Sequence, residues 1–287
     1  MGIGRFVTIG GRNDGSIPQE LVVHHAAPDG HPVHVAPPPG ESWDATIAVR
    51  GDTIAATTHS IDDPAAPSRL YAITEARGVR PVPLPPIRHG RAIDLAISPD
   101  GADIFLALDA GDTEREEYLL VAPASGDGPV RVWPLDPAAH VLGISAGPDR
   151  DLAMLTVGAT GRPQHRRVVR SRTPSSGVLL VEDGDLGIHQ LRAAELSADG
   201  SRLALAYTGD EGATFNVAVL PVDGGPLRVL WQRPCSWDDP DEVRLAFDHA
   251  GQHLLLSYGE VIAITVTDAT HHVLTHAAEN RWQRAAW

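Results

Sequence analysis

An all-β fold, a six-bladed β-propeller, is predicted by three features of the sequence. A strand-and-turn pattern recurs about every fifty residues, four strand-like segments fall within each recurrence, and the two chain ends complete one such unit between them. The anchor of the recurrence is a strand that runs into a turn. It reads Asp44-Ala-Thr-Ile-Ala-Val-Arg-Gly51, Asp94-Leu-Ala-Ile-Ser-Pro-Asp-Gly101, Val141-Leu-Gly-Ile-Ser-Ala-Gly147, Ala193-Ala-Glu-Leu-Ser-Ala-Asp-Gly200 and Arg244-Leu-Ala-Phe-Asp-His-Ala-Gly251. Gly51 and Gly101 are 50 residues apart, Gly200 and Gly251 are 51 apart, and 99 residues separate Gly101 from Gly200 across two units.

Each element follows from its own residues. The anchor strand alternates apolar and other positions, the period of a strand in a packed sheet. The aspartate and glycine of its turn tolerate tight and left-handed backbone. Second strands follow at Thr53–Thr58, Ile104–Leu108, Leu152–Val157, Leu203–Tyr207 and His253–Tyr258. Third strands lie at Leu70–Ile73, Tyr118–Val121, Val168–Arg172, Asn216–Leu220 and Glu260–Val266. Fourth strands, such as Val130–Pro134 and Leu227–Trp231, come after a glycine-containing turn. Four strands per unit make one propeller blade. At the ends, Arg281–Trp287 reads as a first strand, and Gly4–Ile9, Glu20–His25 and Pro32–Val35 read as the three that complete it. Both terminal edges are then paired. Residues 1–287 are expected to form one domain, without helices.

Composition bounds the function. The 24 prolines and 28 glycines suit many short strands and tight turns. No stretch is long and apolar enough to span a membrane as a helix, and Met1-Gly-Ile-Gly-Arg-Phe6 lacks the pattern of a secretory leader, so a cytoplasmic location is expected. A formal charge of −14 argues against nucleic acid and anionic membranes as partners. All 23 basic residues are arginine. The single cysteine, Cys235, excludes an internal disulfide framework and a cysteine-based metal site.

Ile97-Ser-Pro-Asp-Gly-Ala-Asp-Ile-Phe-Leu-Ala-Leu108 and Leu196-Ser-Ala-Asp-Gly-Ser-Arg-Leu-Ala-Leu205 resemble the repeats of the TolB-like (WD40-like) propellers. The likeness is close in those two blades and looser in the others. The Trp-Asp ends and Gly-His starts of true WD40 blades are absent. The resemblance implies protein or peptide recognition most often and an enzyme sometimes. The motif specifies a turn and not a chemistry.

In such a ring the first strands line a central channel. Aligning them gives columns that alternate between channel and blade core. One channel column reads Ala48, Ala96, Gly143, Glu195, Ala246 and Ala286; the next reads Thr46, Asp94, Val141, Ala193, Arg244 and Arg284. The outermost reads Asp44, Ala92, Ala139, Leu191, Glu242 and Trp282, while Val49, Ile97, Ile144, Leu196, Phe247 and Trp287 form a core column. Asp94 and Glu195 are thus expected to face Arg244 and Arg284, with Asp44, Glu242 and Trp282 nearer the mouth. Charges on a narrow axis must be paired, hydrated or used. They form either a self-satisfied ring of ion pairs or a pocket for an anion and a cation. Trp43, Trp237 and Trp282 fall at the mouth, as anchors for a partner or as packing between blades. Asp62, Asp63, Asp109, Glu117, Asp210, Glu211, Asp238, Asp239 and Asp241 make that face acidic and suit a basic partner.

Two motifs carry less than their letters suggest. Gly143-Ile-Ser-Ala-Gly147 matches a nucleophile elbow, but Ser145 aligns with Ser98 and Ser197 at the end of a repeat strand. His89, His140 and His189 lie near the starts of three consecutive first strands, where three imidazoles could hold a divalent metal. Their offsets from the turn differ, and His140 falls in a core-facing column. No cofactor is expected. Three functions remain open: a monomeric module that docks a protein or peptide on the mouth, a propeller lyase or hydrolase at the same mouth, and a sensor holding an anion through Arg244 and Arg284.

Overall fold

The computed structural model describes residues 5–12, 19–25, 31–63, 65–86, 90–110, 116–136, 139–158, 165–171, 177–235, 243–275 and 281–287. They form six four-stranded antiparallel sheets, the blades of a β-propeller. The chain starts with β1 (Phe6–Arg12), β2 (Glu20–His24) and β3 (Val33–Val35). The second blade is β4 (Glu41–Arg50), β5 (Thr53–Ser60), β6 (Arg69–Thr74) and β7 (Gly78–Val82). The third is β8 (Arg91–Ile97), β9 (Asp103–Asp109), β10 (Glu117–Pro123) and β11 (Arg131–Pro134). The fourth is β12 (His140–Ala146), β13 (Leu152–Val157), β14 (Arg166–Ser171) and β15 (Gly177–Glu182). The fifth is β16 (Ile188–Leu196), β17 (Arg202–Gly209), β18 (Thr214–Pro221) and β19 (Arg228–Pro234). The sixth is β20 (Arg244–Phe247), β21 (His253–Ser257), β22 (Val261–Thr265) and β23 (His271–Thr275), and β24 (Arg281–Ala286) ends the chain.

β24 pairs antiparallel with β1, Val7 opposite Ala286 and Arg12 opposite Arg281, so strands from both ends of the sequence share the first blade. The six inner strands pack in the closed order β4, β8, β12, β16, β20, β24 and back to β4. Strands three steps apart in that order face each other across the axis. Apart from three short 3-10 turns, the described residues hold no helix, and none is long and apolar enough to cross a membrane.

The core lies between blades rather than within them. Ala55, Leu70, Ala72 and Val82 of the second blade bury themselves against Leu95, Ile97, Ile104, Leu106 and Leu120 of the third. This is why middle strands such as β9 and β22, covered on both faces, are buried at consecutive positions. The repeated turn is held by its own side chains. The Ser98 hydroxyl donates to Asp100 Oδ1 (2.5 Å) and accepts from the Asp103 amide (2.9 Å), while the Ala102 amide donates to Asp100 Oδ1 (3.0 Å). Ser197 and Asp199 repeat the arrangement, and Gly101 and Gly200 both stand at φ 72°, where a side chain would be strained.

Four inner strands carry a bulge or register shift: Trp43/Ile47 in β4, Ala92/Asp94 in β8, Val141/Gly143 in β12 and Leu191/Ala193 in β16. A bulge inserts an unpaired residue and breaks the alternation beyond it. The expected columns therefore hold next to the turn and fail above the bulge. Val141 and Leu191, read as channel-facing, are 4% and 0% exposed in the core.

Candidate functional site at the propeller axis and mouth

The inner strands bring Arg50, Asp94, Arg192, Glu195, Arg244 and Arg284 onto an axial cavity of about 80 Å³. Asp94 on β8 and Arg244 on β20 lie on opposite sides of the ring and join across it, Arg244 Nη1 to Asp94 Oδ2 at 2.5 Å. Asp94 Oδ2 also accepts the Ile144 amide at 2.8 Å, and Arg244 Nη2 leans on the Ile93 carbonyl at 3.4 Å. Gly143 makes room for this bridge. A Cβ there would stand 3.3 Å from Asp94 Oδ2 and 3.5 Å from Arg244 Nη1. Arg284 Nη1 donates to the Ala45 carbonyl at 2.7 Å, within the widened β4 segment.

Glu195 on β16 faces Arg50 at the end of β4. Its carboxyl is enclosed by protein, although part of the residue looks into the open channel. Burial pushes its pKa up to about 8, with the Asp94 charge adding to the rise and Arg50, the Ser145 hydroxyl and Arg244 opposing it. The group is therefore protonated at neutral pH. Asp94, Glu195, Arg244 and Arg284, the four axial charges expected from the columns, all line this cavity.

Arg50 and Arg192 line it too, and the columns did not point to them. Arg50 stands where the other blades carry Ser98, Ser145, Ser197 or Asp248, so a long cation among small polar residues was the available signal. Arg192 shares a core-facing column with His140. The register shift between Leu191 and Ala193 leaves it unpaired in the ladder and turns it to the cavity.

The mouth is the face that carries the loops from second to third strands and from fourth to next first strands. Trp43 does not present itself there. It is 0% exposed, donates from Nε1 to the Val35 carbonyl at 2.8 Å and meets the Tyr71 ring edge-on at 6.1 Å. It packs the first blade to the second, so the expectation of a mouth anchor is corrected in favour of interblade packing. Tyr71 in turn donates to the buried Glu41 carboxylate, which Thr58 and Arg69 also hold. Asp44 is half-buried and bonds His59 Nδ1 through Oδ1 at 2.7 Å. Trp237, Asp238, Glu242 and His89 lie outside the described residues. Trp282 belongs to β24 opposite Gly11, and its side chain lies outside the described residues as well.

His140 and His189 are not brought together. His140 Nδ1 bonds Glu117 Oε1 at 2.7 Å, whereas His189 is exposed at the next strand. Among the described residues, no group of three His, Cys, Asp or Glu side chains is placed to hold a metal ion. Ser145 is 1% exposed and accepts the Leu196 amide at 2.8 Å, stitching the fourth blade to the fifth.

What the described mouth does expose is a mixture of carboxylates and apolar tips. Asp62, Asp63, Asp185, Asp210 and Glu211 are exposed on its loops. Among them Ile61 is 60% and Leu186 58% exposed. Leu186 holds a left-handed φ of 51°, as do Asp210 at 47° and Glu211 at 56°.

No protein-family model and no curated protein sequence matches the chain. Solved structures do. A chain of the nidogen/laminin complex is 13% identical with a TM-score of 0.61, the match covering 98% of this chain and 97% of that one. A protein assigned as TolB from Agrobacterium tumefaciens is 13% identical with a TM-score of 0.60, over 98% and 97% of the two chains. A prolyl endopeptidase is 15% identical with a TM-score of 0.56, over 98% of this chain and 48% of that one. At such identity the likeness is one of fold: the chain is a six-bladed β-propeller, the architecture it shares with these proteins.

Proposed function

We propose that this propeller is a binding module that docks a protein or peptide on its mouth face, and that the partner is basic with apolar side chains. Leu186 carries the reading. A leucine on a loop tip, 58% exposed and held at positive φ, gains little from burial and costs about 1–2 kcal/mol in backbone strain. Such a residue is explained by contact with something outside the chain. Ile61 stands exposed on another loop of the same face, and the surrounding carboxylates would steer and orient a cationic partner. A rigid ring that fixes these loops also suits recognition, and a similar fold takes part in the nidogen/laminin complex.

The test is selection from a displayed random-peptide library on the immobilised protein. Enriched peptides should be basic with an apolar residue. Their affinity should fall with added salt, and by about tenfold in Leu186→Gly or Ile61→Ser, the scale of one buried apolar anchor. Leu186→Gly should leave thermal stability unchanged or slightly higher, because glycine accepts the left-handed backbone. Peptides that bind both variants as tightly as the unchanged protein would remove the mouth as the docking face.

A further inference from the structure

We propose that the axial cavity is a binding site for one small oxyanion, carboxylate- or sulfate-like, held by the guanidinium groups of Arg50 and Arg192. Four arginines line the cavity against two side-chain carboxylates among the described residues. Asp94 is committed to Arg244, and Arg284 reaches the Ala45 carbonyl. Among the described residues, Arg192 has no hydrogen bond or ion pair through its guanidinium, and Arg50 has no hydrogen bond and feels Glu195 as a charge across the ring. The Nε atoms of both are buried without a partner.

Arg50 and Arg192 are half-buried, and a cation partly withdrawn from water is costly until its donors are met. Water can satisfy its donors, but only an anion neutralises it. This excess of positive charge stands on the axis of a chain whose formal charge is −14, so general composition does not account for it. The volume of about 80 Å³ admits a few waters or an anion of a few heavy atoms. The planar fork of a guanidinium matches two oxygens of one oxyanion better than a spherical halide.

The groups around the site give the binding a pH signature. Asp94, Arg244, Arg50 and the Ser145 hydroxyl surround Glu195, with Arg192 and Arg284 further along the same cavity. While Glu195 keeps its proton, the arginines are left for the ligand. As pH rises through about 8, the Glu195 carboxylate forms and competes for Arg50.

Calorimetric titration of the protein with sodium formate and with sodium sulfate, each against sodium chloride at matched ionic strength, tests this. Saturable binding of one formate or sulfate per chain is expected at neutral pH, stronger than any chloride signal, and the two arms separate planar from tetrahedral preference. Arg192→Gln and Arg50→Gln should each weaken it by at least tenfold, the scale of a charged hydrogen bond. Neither should lower the melting temperature in chloride, since each removes a half-buried cation whose Nε has no protein partner. Formate affinity should fall above pH 8, and in Glu195→Gln it should not. Absence of saturable binding by both oxyanions, equal chloride binding, or unchanged affinity in both arginine variants would overturn the proposal. A peptide-binding mouth would survive that failure, because the variants tested there are different ones.

Discussion

Glu195 is the residue whose surroundings make the clearest thermodynamic demand. Its pKa is about 8 in the folded chain against an ordinary 4.5, so the folded state holds a proton that the unfolded state has released between those values. The contribution of this group to stability is therefore complete below the lower value and declines as pH rises towards the upper one, by up to about 1.4 kcal/mol per pH unit. Glu195→Gln removes that slope. Urea unfolding of both proteins across this range should give a stability difference that grows in favour of the variant as pH rises. Parallel curves would show that the carboxyl is not buried as described. The charged residues beside Glu195 were legible to different degrees. Asp94, Arg244 and Arg284 lie at positions where simple alternation holds. Arg192 does not, because an unpaired residue in the ladder reverses which way it points. Trp43 shows another limit. Its indole is apolar and long enough either to grip a partner or to fill an interblade gap, and only the Val35 carbonyl and the Tyr71 ring decide between them.

At the scale of elements, turn chemistry explains most of what could be read. Ser98 with Asp100, and Ser197 with Asp199, satisfy the amides of their own turns, so the letters specify the local geometry without help from distant residues. Hydrogen bonds, led by that from Ser197, draw the Asp199 pKa down to about 2. Its contribution is complete above the ordinary 3.8 and disappears as pH falls through the lowered value. The group is largely exposed, so the shift is screened. Asp199→Ala should cost about 1 kcal/mol through its lost hydrogen bonds, measured by denaturant unfolding at neutral pH. A variant as stable as its parent would mean that Gly200 alone sets the turn. Strands flanking these turns were readable because period-two patterning survives there. Bulges were not, since β4, β8, β12 and β16 bend around different neighbours, and no residue type announces that.

Across the whole molecule, the ring and its closure were legible because the ends of the sequence each supply part of one repeat. The occupants of the mouth and axis were not, since a propeller presents the same architecture to many ligands. Closure makes its own prediction. Removing residues 281–287 takes away β24 and leaves β1 with an unpaired edge beside the cavity. The shortened chain should lose its cooperative melt and aggregate, as followed by calorimetry and light scattering; a monomer with an unchanged transition would show that β24 is dispensable. The same pairing has a consequence for biosynthesis. Phe6 and Arg281 are 275 positions apart, so at cellular elongation rates β1 waits on the order of tens of seconds for its partner strand. Five blades can assemble as they emerge from the ribosome, while the first stays one strand short with the inner edge of β1 exposed. A chaperone that shields exposed strands during translation would find its target at the amino-terminal end.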